Sequence, residues 1–398
     1  MANLKRLLSN RMQKMDVNII REILKVVNQP GMISLAGGIP ADESFPMDIF
    51  ADLTDTVLSE FGTSALQYDV SEGFGPLRDA LVDYLSEAKG VQTKLENILV
   101  FNGSQSGLDM IGKILLSPGD NVAIEAPSYL GAISAFNAYE PDYVQLETDD
   151  DGLIPDSLRR VLEIINIKFV YLVSTFQNPT GRTIPLGRRH EIAEIIKEHD
   201  ALIIEDDPYG ALRYSGEPLP PLQALAPDNV IYLSTFSKIL APGLRVGFCT
   251  VPQDLFRPLV MARQAADLHT NTFSQAIAAE YLRGGYLAQQ LPKIIALYKP
   301  RRDAMLAALE AHMPAGYRWN RPDGGMFIWA QAPEGTDAEK LYWQCIEQKV
   351  AFVPGKYFYS DPKTQGLNTM RLNFTRADEA TITRAIQTIG AVAANMAS

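Results

Sequence analysis

The sequence predicts an α/β protein: a large domain with a mainly parallel sheet flanked by helices, joined to a smaller α+β domain. Three observations carry this. The chain has 398 residues, more than one small domain uses. Between residues 97 and 233, short apolar runs alternate with helical patterns, the signature of a parallel sheet with crossover helices. Four of those runs end in polar clusters, where open parallel sheets bind their ligands.

Taken in order, Val17–Val27 has the spacing of a short amphipathic helix that stops before Gln29-Pro30-Gly31. Met32–Ala36 is an apolar run closed by Gly37-Gly38. Asp48–Glu60 and Pro76–Glu87 are helical in pattern, with Pro76 in the first turn, where a missing N–H costs little. Asn97–Phe101 then reads as a strand and Ser104–Leu116 as a helix. Asn121–Glu125 reads as a strand and Gly131–Ala138 as a helix. Lys168–Ser174 reads as a strand and Arg188–Glu198 as a helix, followed by strands at Ala201–Glu205 and Val230–Leu233. Pro258–Arg283 reads mostly as helix, and Leu287–Leu309 as a long helix with bends expected at Pro292 and Pro300. The tail alternates strand, helix, strand and helix over Met326–Ala330, Ala338–Gln348, Thr369–Phe374 and Ala377–Ala394. The expected division is an N-terminal segment 1–45 that joins the small domain, a large domain 46–290 and a small domain 291–398.

Lys and Arg number 36 against 47 Asp and Glu, a formal charge of −11. An acidic surface of this kind argues against binding nucleic acid or anionic membrane nonspecifically. The two cysteines, Cys249 and Cys345, are too few and too far apart for a disulfide framework or a CxxC metal pair. A reducing cytoplasm is the expected setting. Met1–Met15 lacks the apolar stretch of a signal peptide, and no apolar run reaches the length of a membrane span. His190, His199, His269 and His312 form no HExxH-like pattern, so no metal is expected. Chemistry is left to Lys, Asp, Asn, Tyr, Arg or a cofactor.

The polar clusters are Asn102-Gly103-Ser104-Gln105, Asn178-Pro179-Thr180-Gly181, Asp206-Asp207-Pro208-Tyr209 and Ser234-Thr235-Phe236-Ser237-Lys238. A neutral lysine amine attacks carbonyls. Burial, and a cation such as Arg245 seven residues on, would favour that form of Lys238. Ser104 and Gln105 open a helix whose backbone N–H groups attract phosphate. Gly103 to Gly107 looks like a hydrolase elbow, but Gln105 stands where the serine belongs. Asp206, at a strand end, could pair with a protonated pyridine nitrogen and make the ring an electron sink. Asp206-Asp207 could instead take a divalent metal, but no further ligands cluster nearby. Singly, these residues have plainer readings: an exposed lysine, an N-cap serine, core tyrosines, a turn, an ion-paired arginine. The ordered combination carries the inference.

That combination resembles the fold type I aminotransferases that depend on pyridoxal 5′-phosphate. Asn178-Pro179-Thr180-Gly181, Asp206-Asp207-Pro208-Tyr209, and Ser237-Lys238 with Gly243-Leu244-Arg245 stand in that family's order, and the similarity runs over nearly the whole chain. Ile20–Lys25, Ser34–Pro40 and Met370–Phe374 point to the subgroup of 2-aminoadipate and kynurenine aminotransferases. The resemblance implies that Lys238 holds the cofactor in a Schiff base and shuttles the proton. It implies that Asp206 pairs with the ring nitrogen, that Asn178 and Tyr209 bond the phenolic oxygen, and that Tyr129 stacks on the ring. Ser104, Gln105, Thr235, Ser237 and Arg245 would hold the phosphate. Tyr68 would reach toward a partner's cofactor across a homodimer interface. Arg371 would clamp the substrate α-carboxylate, Gly38 would admit it closely, and Arg21, on the N-terminal segment that covers the substrate, would read its side chain. The implied substrates are an L-amino acid (2-aminoadipate, aromatic or long aliphatic) and 2-oxoglutarate.

Two alternatives stand beside this reading. A β-lyase or decarboxylase could use the same cofactor site, because fold does not decide reaction type. A regulator that only senses the cofactor would need a DNA-binding module, and here the aminotransferase-like pattern starts within the first few dozen residues.

Overall fold

The computed structural model describes residues 4–14 and 30–397. The helix predicted at Val17–Val27, and Arg21 on it, lie outside the described residues. A seven-stranded sheet is built from β1 (Ile98–Phe101), β2 (Asn121–Glu125), β3 (Asp142–Leu146), β4 (Ile167–Leu172), β5 (Ile203–Asp206), β6 (Val230–Thr235) and β7 (Gly247–Thr250). Its spatial order is β1-β7-β6-β5-β4-β2-β3. β2, β3, β4, β5 and β6 pair in parallel, and β7 alone runs antiparallel, to both β1 and β6.

Alternation along β1 shows why the sheet is covered on both faces. Ile98 and Val100 join Leu53, Leu81 and Ile277 in one apolar cluster, whereas Leu99 and Phe101 join Leu108 and Ile111 in another. A sheet buried on both faces needs apolar residues at nearly every position, and β1, β5 and β6 are buried throughout. The flanking helices are α1 (Met47–Phe61), α2 (Gly75–Lys89), α3 (Ser104–Leu115), α4 (Leu130–Phe136), α5 (Pro155–Ile164), α6 (Leu186–Glu198), α7 (Gln253–Asp267) and α8 (Thr272–Arg283).

A second, antiparallel sheet has the order β8 (Arg318–Trp319), β9 (Phe327–Gln331), β11 (Thr369–Asn373), β10 (Val353–Pro354). The long α9 (Tyr286–His312) packs against α11 (Glu379–Ala397), with α10 (Ala338–Glu347) beside them. Ile294, Met305, Leu341, Ile386 and Phe327 share the core of this part. Leu35 and Ala36 belong to that core too, and the short strand Ile33–Ser34 pairs in parallel with Val350–Ala351.

The structure adds elements that the sequence reading lacked, among them the two-residue strands β8 and β10. β3 and α5 were not predicted; β3 is half-exposed at the sheet edge, which weakens its apolar signal. β7 was missed because four residues, Gly-Phe-Cys-Thr, carry no readable period. The helix expected over Pro258–Arg283 is two helices, broken where Leu268 takes φ +66°, a conformation that ends a helix. The long helix read over Leu287–Leu309 is present as α9, with Pro292 and Pro300 inside it.

Candidate active site

The carboxyl ends of the parallel strands open toward the second sheet, and a cavity of about 280 Å³ lies between them. β5 delivers Asp206 as its last residue, with Tyr209 in the turn beyond. β6 delivers Thr235, and the turn after it carries Ser237 and Lys238. β1 leads through Gly103 into α3, which contributes Ser104 and Gln105. The loop after β2 supplies Tyr129, and the one after β4 supplies Asn178. Arg371 reaches in from β11, and Gly38 from the segment after Ile33–Ser34. Arg245 closes the cavity beside α3.

Thus the structure brings together every expected site residue except two. Arg21 lies outside the described residues. Tyr68 stands away from the cavity, 78% exposed, with its ring centre 5.7 Å from that of His269.

Lys238 Nζ donates to Gly38 O at 3.0 Å. Burial, with Arg245 and Arg371 adding positive charge, pulls its pKa from 10.5 down to about 8. The neutral amine is thus far more accessible than for an ordinary lysine, although the protonated form still leads at neutral pH. Arg245 is the cation that the sequence pointed to; Arg371 was not foreseen in that role.

Asp206 has the opposite problem. It is a buried carboxylate whose Oδ2 accepts from Tyr171 Oη at 2.9 Å, while Oδ1 has no hydrogen-bond partner among the described residues. Burial lifts its pKa to about 7, against the Tyr171 bond and with help from Asp207. A buried acceptor left open at the wall of a cavity calls for a donor from whatever fills that cavity. Tyr171 was not singled out in the sequence, because a tyrosine inside a β-branched and aromatic run reads as strand core.

Arg371 is fixed on several sides. Its Nη1 donates to Asn178 Oδ1 at 2.8 Å and its Nη2 to Ala36 O at 2.6 Å. Its guanidinium lies 4.4 Å from the Phe327 ring centre and 4.8 Å from that of Phe358. Burial lowers its pKa to about 10, still cationic at neutrality. Neither phenylalanine carried a motif in the sequence. Asn178 Nδ2 donates to Tyr209 Oη at 3.3 Å, so one amide links the arginine to the tyrosine. Burial raises the phenols of Tyr129, to about 12, and of Tyr209, so both stay protonated donors.

On the opposite side lies an anion cradle. Gly103 takes φ +77°, and a Cβ there would fall 2.4 Å from Arg245 Nη2. A Cβ on Gly247 would fall 2.5 Å from the Ser104 backbone nitrogen. Both glycines thus let the guanidinium and the start of α3 close on one another. Thr235 and Ser237 share a hydroxyl contact of 2.9 Å nearby. Gln105 spends its side-chain amide on Gly131 O at 2.7 Å, which leaves its backbone N–H as its contribution to the cradle.

Asp207 is ion-paired with Lys89 at 3.1 Å, and among the described residues no three metal-ligating side chains cluster. The described residues also hold no helix long and apolar enough to cross a membrane.

The comparisons with known proteins agree with this geometry. The chain is 46% identical over 379 residues to aromatic-amino-acid aminotransferase 1 of Thermococcus litoralis, covering 94% of this chain and 90% of that one. Its fold superposes on kynurenine aminotransferase of Pyrococcus horikoshii with a TM-score of 0.96 at 42% identity, covering 100% and 99% of the two chains. It superposes on α-aminoadipate aminotransferase of Thermus thermophilus, complexed with N-(5′-phosphopyridoxyl)-L-leucine, with a TM-score of 0.91 at 36% identity and coverage of 100% and 99%. The sequence profile of aminotransferase class I and II matches residues 32–389, and the chain belongs to that family.

Proposed function

We propose that this chain moves an amino group from an L-amino acid to 2-oxoglutarate in a ping-pong reaction, with pyridoxal 5′-phosphate carried on Lys238. The favoured donors are 2-aminoadipate and aromatic or long aliphatic amino acids. The observation that carries the reading is the pairing, in one cavity, of a lysine poised to be neutral and a buried carboxylate with an open oxygen.

The residues fit the cofactor. Asp206 Oδ1 lacks a donor, and a protonated ring nitrogen is one. The start of α3 with Arg245, Thr235 and Ser237 suits a phosphate. When bound, the cofactor supplies an electron sink for the charge left on the substrate Cα. The chain's own groups do the rest. Arg371 clamps the substrate α-carboxylate, its orientation set by Asn178, Ala36 O and the two phenylalanine rings. Lys238 Nζ takes the Cα proton and returns it on the far side of the transfer. Asp206 holds its negative charge against the ring nitrogen. Tyr129 and Gly38 bound the space open to the substrate, where a Cβ on Gly38 would approach Phe327 Cζ to 3.0 Å.

Residues 46–290 serve as the cofactor-binding domain in this reading, with 1–45 and 291–398 forming the smaller one. Tyr68, exposed in the single chain, supports a homodimer in which it reaches the neighbouring site. Two free, buried cysteines suit a cytoplasmic setting. Arg21 is the proposed reader of the donor side chain. Arg21→Ala should lower kcat/KM for 2-aminoadipate at least tenfold more than for leucine, compared by steady-state assay. An unchanged ratio removes Arg21 from the reading.

A further inference from the structure

The last two residues of β5, Glu205 and Asp206, and the first residue after it, Asp207, are three consecutive buried carboxylates. Buried charges persist only when paired or richly hydrogen-bonded. Glu205 accepts from Ser174 Oγ and from the backbone N–H groups of Leu222 and Gln223. Among the described residues, the side chain of Asp206 has Tyr171 alone. Asp207 accepts from Lys89 Nζ at 3.1 Å, Tyr232 Oη at 2.7 Å and the Gly210 backbone N–H at 2.7 Å.

Lys89 is the last residue of α2, on the other side of the wall from the substrate cavity. It lines a separate cleft of about 720 Å³ together with Asp207 and Gly210. We propose that Lys89 is a positioning residue for the aminotransferase site: by neutralising Asp207 it leaves Asp206 free to keep its charge, and it pins the turn that presents Tyr209. The inference rests on the cofactor reading above.

The chain geometry supports both halves. Asp206 and Asp207 are neighbours in sequence, so an unpaired Asp207 would oppose ionisation of Asp206 at close range. Asp207 Oδ1 ties back to Gly210, closing a turn with Pro208 and Tyr209 between them, and Gly210 leaves no room there, since a Cβ would meet Asp207 Oδ1 at 2.4 Å. Other charged or titratable groups face the pair. Tyr84 comes from α2, Tyr232 from β6, Arg189 from α6, Arg213 from the loop after β5, and Glu205 from β5 itself. Among the described residues, only Lys89 forms a salt bridge with Asp207. Burial favours the neutral form of each, yet their mutual attraction outweighs it, so Lys89 is raised and Asp207 lowered.

The test is a pH titration of the cofactor's visible absorption in the holoenzyme, which reports protonation at Lys238 Nζ. Lys89→Met leaves a net negative charge behind the site and should raise the midpoint by about half a pH unit or more. Asp207→Asn leaves a net positive charge and should lower it by a similar amount. The double variant Lys89→Met/Asp207→Asn removes both charges and should return to the wild-type midpoint. A merely structural role gives no shift, or shifts of one sign. Should one single variant fail to fold, the other measured against the double variant still decides by the direction of its shift. A wild-type chain that shows no visible band overturns the cofactor reading and this inference with it. A wild type that titrates while the variants do not shift in opposite directions overturns this inference alone.

Discussion

Lys238 and Asp206 are displaced from their ordinary pKa values in ways that suit opposite tasks. The lysine is pulled down toward 8 and the carboxylate lifted to about 7, with burial the first cause in each case. Lys238→Ala should lower kcat by at least about 10²–10³-fold and abolish covalent retention of the cofactor, read by mass spectrometry after borohydride reduction. For Asp206, the folded chain binds a proton up to about pH 7 that the unfolded chain releases near 3.8. Between those values the folded state holds more protons, so stability falls as pH rises from about 4 to 7, and the whole cost stands above 7. The cofactor-free Asp206→Asn variant should therefore unfold at higher urea than cofactor-free wild type at pH 8, by on the order of a few kcal/mol, with little difference at pH 4. Equal midpoints at pH 8 would show that Asp206 is not strained in the empty site. Both residues were legible in the sequence because they sit in ordered motifs at strand ends. Tyr171, Phe327 and Phe358 were not. Their contribution comes from a neighbouring strand, a second sheet or the turn after β10, and nothing local distinguishes them from core aromatics.

Among the elements, α3 matters most for the proposed phosphate site. Its N-terminus is brought against Arg245 by Gly103, whose positive φ and lack of Cβ are both used. Gly103→Ala should weaken cofactor affinity at least tenfold while the chain still folds, measured by fluorescence titration of the cofactor-free protein. Unchanged affinity would place the phosphate elsewhere. Helices with clear apolar spacing, such as α1, α2 and α6, were read from the sequence to within about two residues of their observed ends. The exposed edge strand β3 and the four-residue β7 were not, because short or half-solvated strands leave too few apolar positions to reveal a period. The break after α7 escaped notice for a different reason: no glycine or proline marks it, and a leucine, Leu268, takes the positive φ there.

In the whole molecule, the cavity lies between the parallel sheet and the small antiparallel one, with Arg371 contributed by the second and Lys238 by the first. Such a layout was readable in outline, since alternating units and strand-end clusters specify a parallel sheet and its binding edge. The distance across the two sheets was not readable at all. A homodimer with shared sites predicts subunit complementation. Mixing inactive Tyr68→Ala and Lys238→Ala subunits should recover about a quarter of wild-type activity after exchange, because hybrid dimers, half of the population, carry one intact site. No recovery would separate Tyr68 from the neighbouring site. The most direct test of the central claim is the visible spectrum of the purified protein supplied with pyridoxal 5′-phosphate, recorded before and after 2-aminoadipate and then 2-oxoglutarate. A yellow band that fades with the amino acid and returns with the oxo acid is the predicted result. A protein that takes up no cofactor, and shows no band, would contradict it.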